Sequence, residues 1–369
     1  MTTAGLEGVV ATQSGISSII DGVLTYRGIN IDELARHARF EEVLYLLWHD
    51  ELPTFEQLTQ LKKELASQGI LPDEIISLLK TFPKHTHPMA ILRTVVSALE
   101  MYDPDAHDMS ESANFRKALN IQAKISSVVA AIQRVREDKE ILSPKREFTF
   151  AQNFLYMLNG ENPEAIAIKS LDTALILHAD HELNASTFAA RVTVGTLANI
   201  YTGVVSAIGT LSGPLHGGAN ESVMEMLEEI GDIEHVEFYI RQAIAEKKKI
   251  MGFGHRVYKT GDPRAKFLKS MSKELTALKG QDKLYEISVK IDEILTKEKG
   301  LLPNVDFYSA STYHSLGIAR DLFTPIFAVS RTSGWTAHIL EQYANNRLIR
   351  PRAEYVGSQS RSYVPLEER

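Results

Sequence analysis

From Ile31 onward apolar residues recur at helical spacing, as at Phe40, Val43, Leu44 and Leu47, with polar residues between them. The same rhythm predicts helices near 54–67, 88–101, 113–138, 163–179, 185–208, 221–230, 235–249, 264–277, 281–298 and 321–345. Only the start of the chain reads differently. Between Ser17 and Tyr26 an Asp21-Gly22 pair separates two β-prone stretches, the strongest short-range hairpin signal. The pattern predicts an all-α protein with a short N-terminal β-hairpin. Proline and glycine punctuate it at Pro53, Pro72, Pro83, Pro88, Gly160, Gly213-Pro214, Gly252, Gly254, Pro303 and Pro351. The Gly-rich break at 213–218 and the loop from Pro303 to Asp306 bracket a stretch richer in Lys and Glu, which predicts a smaller domain inserted into a larger helical one.

At 369 residues the chain can bury a full core without disulfide or metal staples. It has no cysteine, which removes disulfide scaffolds, cysteine nucleophiles, thiolate zinc sites and cysteine-held iron–sulfur clusters. With 40 Lys+Arg against 47 Asp+Glu the formal charge is −7, which supplies no general field for nucleic acid, although a local basic patch can still grip a small anion. Met1 to Leu24 contains no Lys or Arg and fits neither a secretory signal nor a transit peptide. No apolar run approaches the roughly 20 residues needed to span a bilayer. A cytoplasmic protein is expected, with no nucleic-acid and no membrane partner.

Four places concentrate candidate chemistry. In His178-Ala-Asp-His181-Glu182-Leu-Asn184 two histidines lie three apart at the end of a predicted helix, so that one face can present both. They suit a metal site, an anion- or carbonyl-binding site, or a capped helix end with hydrogen-bonded histidines. In Gly213-Pro214-Leu215-His216-Gly217-Gly218-Ala219-Asn220 a loop feeds a helix that Asn220 can cap. His216 would then lie near a helix N-terminus, which disfavours imidazolium; a neutral histidine there can donate a hydrogen bond to a developing enolate oxygen. A glycine-rich turn with an incidental histidine is the bland alternative.

The third place, Lys247-Lys248-Lys249-Ile250-Met251-Gly252-Phe253-Gly254-His255 and on to Arg264, joins a lysine cluster to a loop whose backbone can approach a phosphorylated ligand at Gly252 and Gly254. It lacks the third glycine of a dinucleotide fingerprint, and the lysines also suit a plain helix C-terminus. The fourth is Asp306 among apolar and aromatic neighbours just before a helix. Desolvation would make it a useful general base, whereas a helix-capping role would lower its pKa.

Taken in order, His87-Pro-Met89, HADHELNAST at 178–187, GPLHGGANE at 213–221, GFGHRVYKTGDPR at 252–264, NVDFYSAS at 304–311 and AVSRTSGW at 328–335 closely resemble the signature segments of citrate synthase. The resemblance runs through nearly the whole chain, and its compact length is similar to the short bacterial and archaeal dimeric type. It implies a large helical domain, 1–217 with 313–369, a small helical domain, 218–312, and an active site in the cleft between them. The implied reaction condenses acetyl-CoA with oxaloacetate and water to give citrate and CoA.

Carried over by motif, His216 is expected to hydrogen-bond the thioester oxygen, Asp306 to remove a methyl proton, and His255 to polarise the ketone of oxaloacetate. Arg264, Arg331 and Arg350 match the family's three carboxylate-binding arginines, Arg350 reaching across a homodimer interface, and His181 matches its oxaloacetate-binding histidine. Planar, permanently charged donors suit two carboxylates better than lysine does. The Met251, Gly252 and Gly254 backbone with Lys249 and Lys259 is expected to bind CoA, which enters as substrate; no metal or other cofactor is implied. A 2-methylcitrate synthase using propionyl-CoA shares these motifs. Outside the family the alternatives are a metal-dependent helical hydrolase and a non-catalytic helical scaffold.

Overall fold

Apolar periodicity has to be cashed in by packing, and a computed structural model of the chain shows how; it describes residues 4–6, 8–255, 258 and 261–369. A three-stranded antiparallel sheet comes first: β1 (Ser17–Ile20), β2 (Val23–Tyr26) and β3 (Ile29–Asn30). The hairpin expectation holds, with a third short strand added. Asp21 and Gly22 both take positive φ, 52° and 78°, as the tight two-residue turn requires.

Among the described residues, ten helices come first: α1 (Ile31–His37), α2 (Phe40–His49), α3 (Phe55–Gln68), α4 (Asp73–Thr81), α5 (Pro88–Leu99), α6 (Glu111–Arg136), α7 (Phe150–Asn159), α8 (Ala165–His178), α9 (Ala185–Val194) and α10 (Ile200–Leu211). Six more follow: α11 (Ala219–Ile230), α12 (Val236–Ala245), α13 (Ala265–Leu278), α14 (Asp282–Lys299), α15 (Val305–Ser315) and α16 (Phe323–Ala344). Local chemistry starts many of them. Thr54 and Gln57 form a reciprocal capping box on α3, and His87 caps α5, whose Pro88 sits in the first turn where its missing N–H costs nothing. Among the described residues no helix is long and apolar enough to cross a membrane.

Three expectations are corrected. The helix foreseen over 185–208 is two, because the chain leaves the helix after Val194, Leu197 takes φ 65°, and Asn199 accepts from the Thr202 N–H to start α10. The lysines at 247–249 lie beyond the end of α12, whose last turn closes on Glu246; Lys248 turns back to pair with that residue at 2.7 Å. Asn220 does not cap α11: Gly218, at φ 79°, holds the cap position and Asn220 lies inside the helix.

Helices α11, α13 and α14 pack with α15, and α12 packs on α14. Helix α15 also reaches α8, and α16 runs buried against α2, α6, α8, α9 and α10. Helix α16 can lie that deep because its hydroxyls are satisfied internally: Thr332 and Thr336 donate to the carbonyls of Ala328 and Thr332, each at 2.7 Å.

Candidate active site

One face of α16 is bonded turn by turn to the corner between α8 and α9. Arg331 Nε donates to the His178 carbonyl at 2.7 Å, the Gly334 N–H to the Ala179 carbonyl at 3.1 Å, and Trp335 Nε1 to Ser186 Oγ at 3.0 Å. One turn further on, His338 Nε2 meets Asp180 Oδ2 at 3.2 Å. Only glycine fits at 334, since a Cβ there would lie 2.3 Å from Asp180 Oδ1 and 2.5 Å from the Ala179 carbonyl oxygen. This seam sets Arg331, His181 and Ser186 relative to one another.

The two histidines of the corner part company, contrary to the expectation that one face presents both. His178 is wholly buried, donates from Nδ1 to the Ala174 carbonyl at 2.7 Å and packs edge-on to Phe327. Burial pulls its pKa down to about 3, so it stays neutral. His181 instead places Nε2 3.1 Å from the Tyr258 hydroxyl, and its ring lies 5.3 Å from that of His255. Burial first, then the charges of Arg264 and Arg331, hold His181 well below the ordinary histidine range. Among the described residues no group of three or more His, Asp or Glu is placed to hold a metal ion.

His216 sits on the turn that enters α11, and its Nε2 lies 3.3 Å from the Ser186 N–H and 2.8 Å from Ser186 Oγ. A backbone N–H can only donate, so Nε2 is the accepting nitrogen and the proton is assigned to Nδ1. Burial, helped by Arg331, pulls the His216 pKa down to about 4. A neutral imidazole with a protonated Nδ1 can donate a hydrogen bond to an anionic oxygen without first giving up a proton.

The loop from Met251 to Gly254 and the approach to α15 form one unit. Asn304 N–H donates to the Gly252 carbonyl and Asn304 Nδ2 to the Gly254 carbonyl, both at 2.9 Å, and Gly254 N–H donates to the Leu302 carbonyl at 2.9 Å. Gly252, at φ 81°, is required by packing, because a Cβ would lie 2.9 Å from the Phe307 side chain. Asn304, not Asp306, caps α15: its Oδ1 accepts from the Asp306 N–H at 2.9 Å. That frees the Asp306 carboxylate, which has no hydrogen-bond donor among the described residues. Although part of Asp306 faces solvent, the protein packed around it pushes its pKa up to about 6; Asp262 adds to the rise while Arg264 and Arg331 oppose it.

Arg264 is buried and forked onto Asp262, Nε to Oδ1 at 2.9 Å and Nη2 to Oδ2 at 2.8 Å. Asp262 Oδ2 also accepts the Val305 N–H at 3.0 Å, tying Arg264 to the start of the helix that bears Asp306. Desolvation alone would raise Asp262, but the Arg264 charge and hydrogen bonds outweigh it and hold the carboxyl below its usual range. Arg331 keeps its charge at neutral pH, since burial lowers it only to about 10. His255 Nδ1 accepts the Tyr258 N–H at 3.2 Å, which assigns the proton to Nε2.

Two cavities that share a wall begin beside the turn that carries His216. One of about 410 Å³ is lined by His87, Gly217, Gly218, Ser222 and Met251; the other, about 440 Å³, is lined by Ser222, Glu225, Tyr239, Lys248, Lys249 and Met251. Ser222, Glu225 and Met251 belong to both, so a trench runs from the His216 turn to the lysines. Lys259 lies outside the described residues. Arg350 does not join the others within the chain: it follows α16 in an exposed segment and lines a separate cavity of about 840 Å³ with Arg191, Glu341 and residues 12–15. Sequence reading missed Ser186, Trp335, Tyr258 and Asp262 as site residues. All four fall inside the motif segments, and a Ser or Trp without a titratable neighbour in sequence offers no signal of its own.

The family model described as "Citrate synthase, C-terminal domain" matches residues 5–352 of the chain. A citrate synthase 2 from Bacillus subtilis (strain 168) is 60% identical over 368 residues, spanning 100% of this chain and 99% of the relative. A 2-methylcitrate synthase from Shewanella oneidensis is 41% identical, spanning 100% of this chain and 98% of the relative. Among solved structures, the ternary complex of carboxymethyl coenzyme A and oxaloacetate with citrate synthase from the archaeon Thermoplasma acidophilum superposes with a TM-score of 0.93 at 35% identity, covering 99% of this chain and 98% of that one.

Proposed function

Because the chain belongs to the citrate synthase family, and is therefore a condensing acyltransferase, we propose that it joins acetyl-CoA to oxaloacetate through Asp306, His216 and His255. The observation that carries the assignment is Asp306: a carboxylate with no donor among the described residues, its pKa raised to about 6, on the same structural unit as Arg264. Asp306 takes a proton from the thioester methyl group, and the electron pair moves onto the carbonyl oxygen, where His216 Nδ1–H donates. The enol carbon then attacks the ketone of oxaloacetate, whose oxygen becomes a hydroxyl with His255 Nε2–H as proton donor. Water finally cleaves the citrate thioester to citrate and CoA. Preorganised donors in a site closed to water supply the stabilisation.

Arg264 and Arg331 receive the carboxylates of oxaloacetate beside His181, with Arg350 of a second copy completing the set in a homodimer. Helices α11–α14 and most of α15 form the small domain, 218–312, and the rest, 1–217 with 313–369, the large one. Coenzyme A lies along the trench, its thioester end at Gly217-Gly218 and its phosphates near Lys248 and Lys249. Gly252, Gly254, Met251 and Lys259 flank that path. No metal or other cofactor takes part, and the enzyme acts in the cytoplasm as a step of the tricarboxylic acid cycle.

The test is thiol release from acetyl-CoA, followed with a chromogenic thiol reagent to which a cysteine-free protein adds no background. Release is expected only when oxaloacetate is present, because oxaloacetate must bind and close the site first. Oxaloacetate-independent release, or none, refutes the reading. A second reading rests on the 2-methylcitrate synthase relative. One methylene is worth about 1–3 kcal/mol of discrimination, so propionyl-CoA is expected to react more slowly; a kcat/KM above that of acetyl-CoA reverses the assignment.

The pH profile follows from Asp306. The base must be ionised, so kcat/KM for acetyl-CoA is expected to fall as pH drops through about 6 and to level off above it. His216, near 4, stays neutral throughout that range. A profile flat down to about pH 5 would remove Asp306 as the base.

A further inference from the structure

The N-terminal hairpin has no part in the chemistry above, yet it is bonded to the residues on both sides of His181. Ser17 Oγ donates to Asp180 Oδ2 and accepts the Glu182 N–H at 2.9 Å; the Ile19 N–H donates to Glu182 Oε1 at 2.5 Å. Ser17 is paired across the sheet with Tyr26, so the two side chains share a face. The buried Tyr26 hydroxyl lies 3.1 Å from the Ile176 carbonyl and 3.0 Å from the Asp180 carbonyl, and accepts the Asp180 N–H at 3.2 Å. One rung of the hairpin therefore grips the corner from a single side. His338 Nε2 meets the same Asp180 oxygen, Oδ2, and is itself met by Arg191 Nη1 at 3.1 Å, whose partner Glu341 accepts the Gly15 N–H at 2.8 Å.

The corner needs holding. Glu182 has φ 50°, in the left-handed region that a side-chain-bearing residue rarely adopts because its Cβ crowds the following carbonyl. Such a conformation persists only where surrounding contacts over-determine it, and here both the Glu182 N–H and its carboxylate are bound by β1. A relaxed Glu182 would turn the peptide that follows His181 and swing the imidazole away from Tyr258 and His255.

We propose that the hairpin is a working part of the dicarboxylate site, with Ser17 a positioning residue that, by binding both neighbours of His181, sets that imidazole for oxaloacetate. The inference rests on the assignment of His181 to oxaloacetate. It explains why a sheet of three short strands persists at the edge of a helical protein. It also separates Ser17 from a residue that merely stabilises, because its effect must appear in one substrate's affinity and not in the other's.

Steady-state kinetics on Ser17→Ala, Ser17→Thr, Glu182→Ala and His181→Ala, with melting followed by circular dichroism, test it. Ser17→Ala is expected to raise the oxaloacetate KM about tenfold, the loss that follows removal of a hydrogen bond to a charged group, with kcat and the acetyl-CoA KM at saturating oxaloacetate close to those of the parent. Ser17→Thr keeps the hydroxyl and restores the parent KM, while Glu182→Ala raises it in the same direction. A folded Ser17→Ala with the parent's oxaloacetate KM overturns the proposal when His181→Ala raises that KM. If His181→Ala leaves it unchanged, the His181 assignment itself fails. Should Ser17→Ala not fold, Glu182→Ala decides, and an unchanged oxaloacetate KM there overturns the positioning role.

Discussion

Asp306→Asn is expected to slow turnover about 10³-fold, the scale of a lost general base, while the protein stays folded. Asparagine keeps the shape and the local hydrogen bonds, since the Asp306 N–H goes to Asn304 and its carbonyl accepts from Ser309, neither of which involves the carboxylate. Stability should move the other way. The folded pKa is raised to about 6, so the protein disfavours the ionised side chain: that penalty is absent at pH below the unfolded value and fully present above the folded one. Removing the charge should therefore leave the melting temperature at pH 8 equal to or above the parent's, with no gain near pH 4. Measured together, kcat and melting temperature separate a base held ready at the expense of stability from a residue that only supports the fold. Parent-like kcat in a folded Asp306→Asn would remove the residue from the mechanism.

Asp262→Ala is expected to have the largest effect on stability, about 3–5 kcal/mol, because it strands a buried guanidinium. Arg264 is held by both carboxylate oxygens of Asp262, and the same carboxylate satisfies the Val305 N–H at the start of α15. The variant therefore loses an ion pair and loosens the helix that carries Asp306 at once. The difference from the parent should shrink in acid, since the depressed Asp262 pKa contributes stability above the unfolded value that is lost as pH falls through the folded one. Urea denaturation of Asp262→Ala and of the double variant Asp262→Ala/Arg264→Met checks this. The second substitution removes the stranded charge and should recover part of the stability, without recovering oxaloacetate binding. A loss under about 1 kcal/mol in the single variant would mean that water reaches Arg264 and that the fork is not the buried pair it looks to be.

Much of the architecture can be read without the structure, and the exceptions have identifiable causes. Helix α4, nine residues between Pro72 and Pro83, does carry an apolar face in Ile75, Ile76, Leu78 and Leu79, but the prolines on either side make so short a stretch read as a connection. Helix α7 is buried over most of its surface and leaves only a narrow stripe of Gln152, Tyr156 and Asn159 facing outward, so its run Phe-Ala-Gln-Asn-Phe-Leu-Tyr-Met-Leu-Asn offers a weak polar face. The split between α9 and α10 had local signals in Gly195, which caps α9, and Asn199, which starts α10, but the left-handed turn falls on Leu197, which carries no breaker chemistry of its own. The lysine cluster was legible as charge. That it lies along a trench reaching the His216 turn was not, because the trench is made by side chains from α11, α12 and the loop after α12.

Within the site the division is sharper. The residue types, their order and the local devices that set them are contained in the sequence: a glycine turn before α11, an Asn two residues before Asp306, and an Asp two before Arg264 all act within a few residues along the chain. Which groups face the site, and in which protonation state, depends on partners far away in the chain. His178 and His181 are three residues apart, yet one is sealed into the core by Phe327 and Ala174 while the other meets Tyr258. His216 owes its tautomer to Ser186, and Ser186 its place to Trp335, 149 residues away. The corner bearing His181 is held by Ser17, 163 residues before Asp180. A pKa or a side-chain direction is a property of the surroundings that burial assembles, and only the folded chain brings those surroundings together.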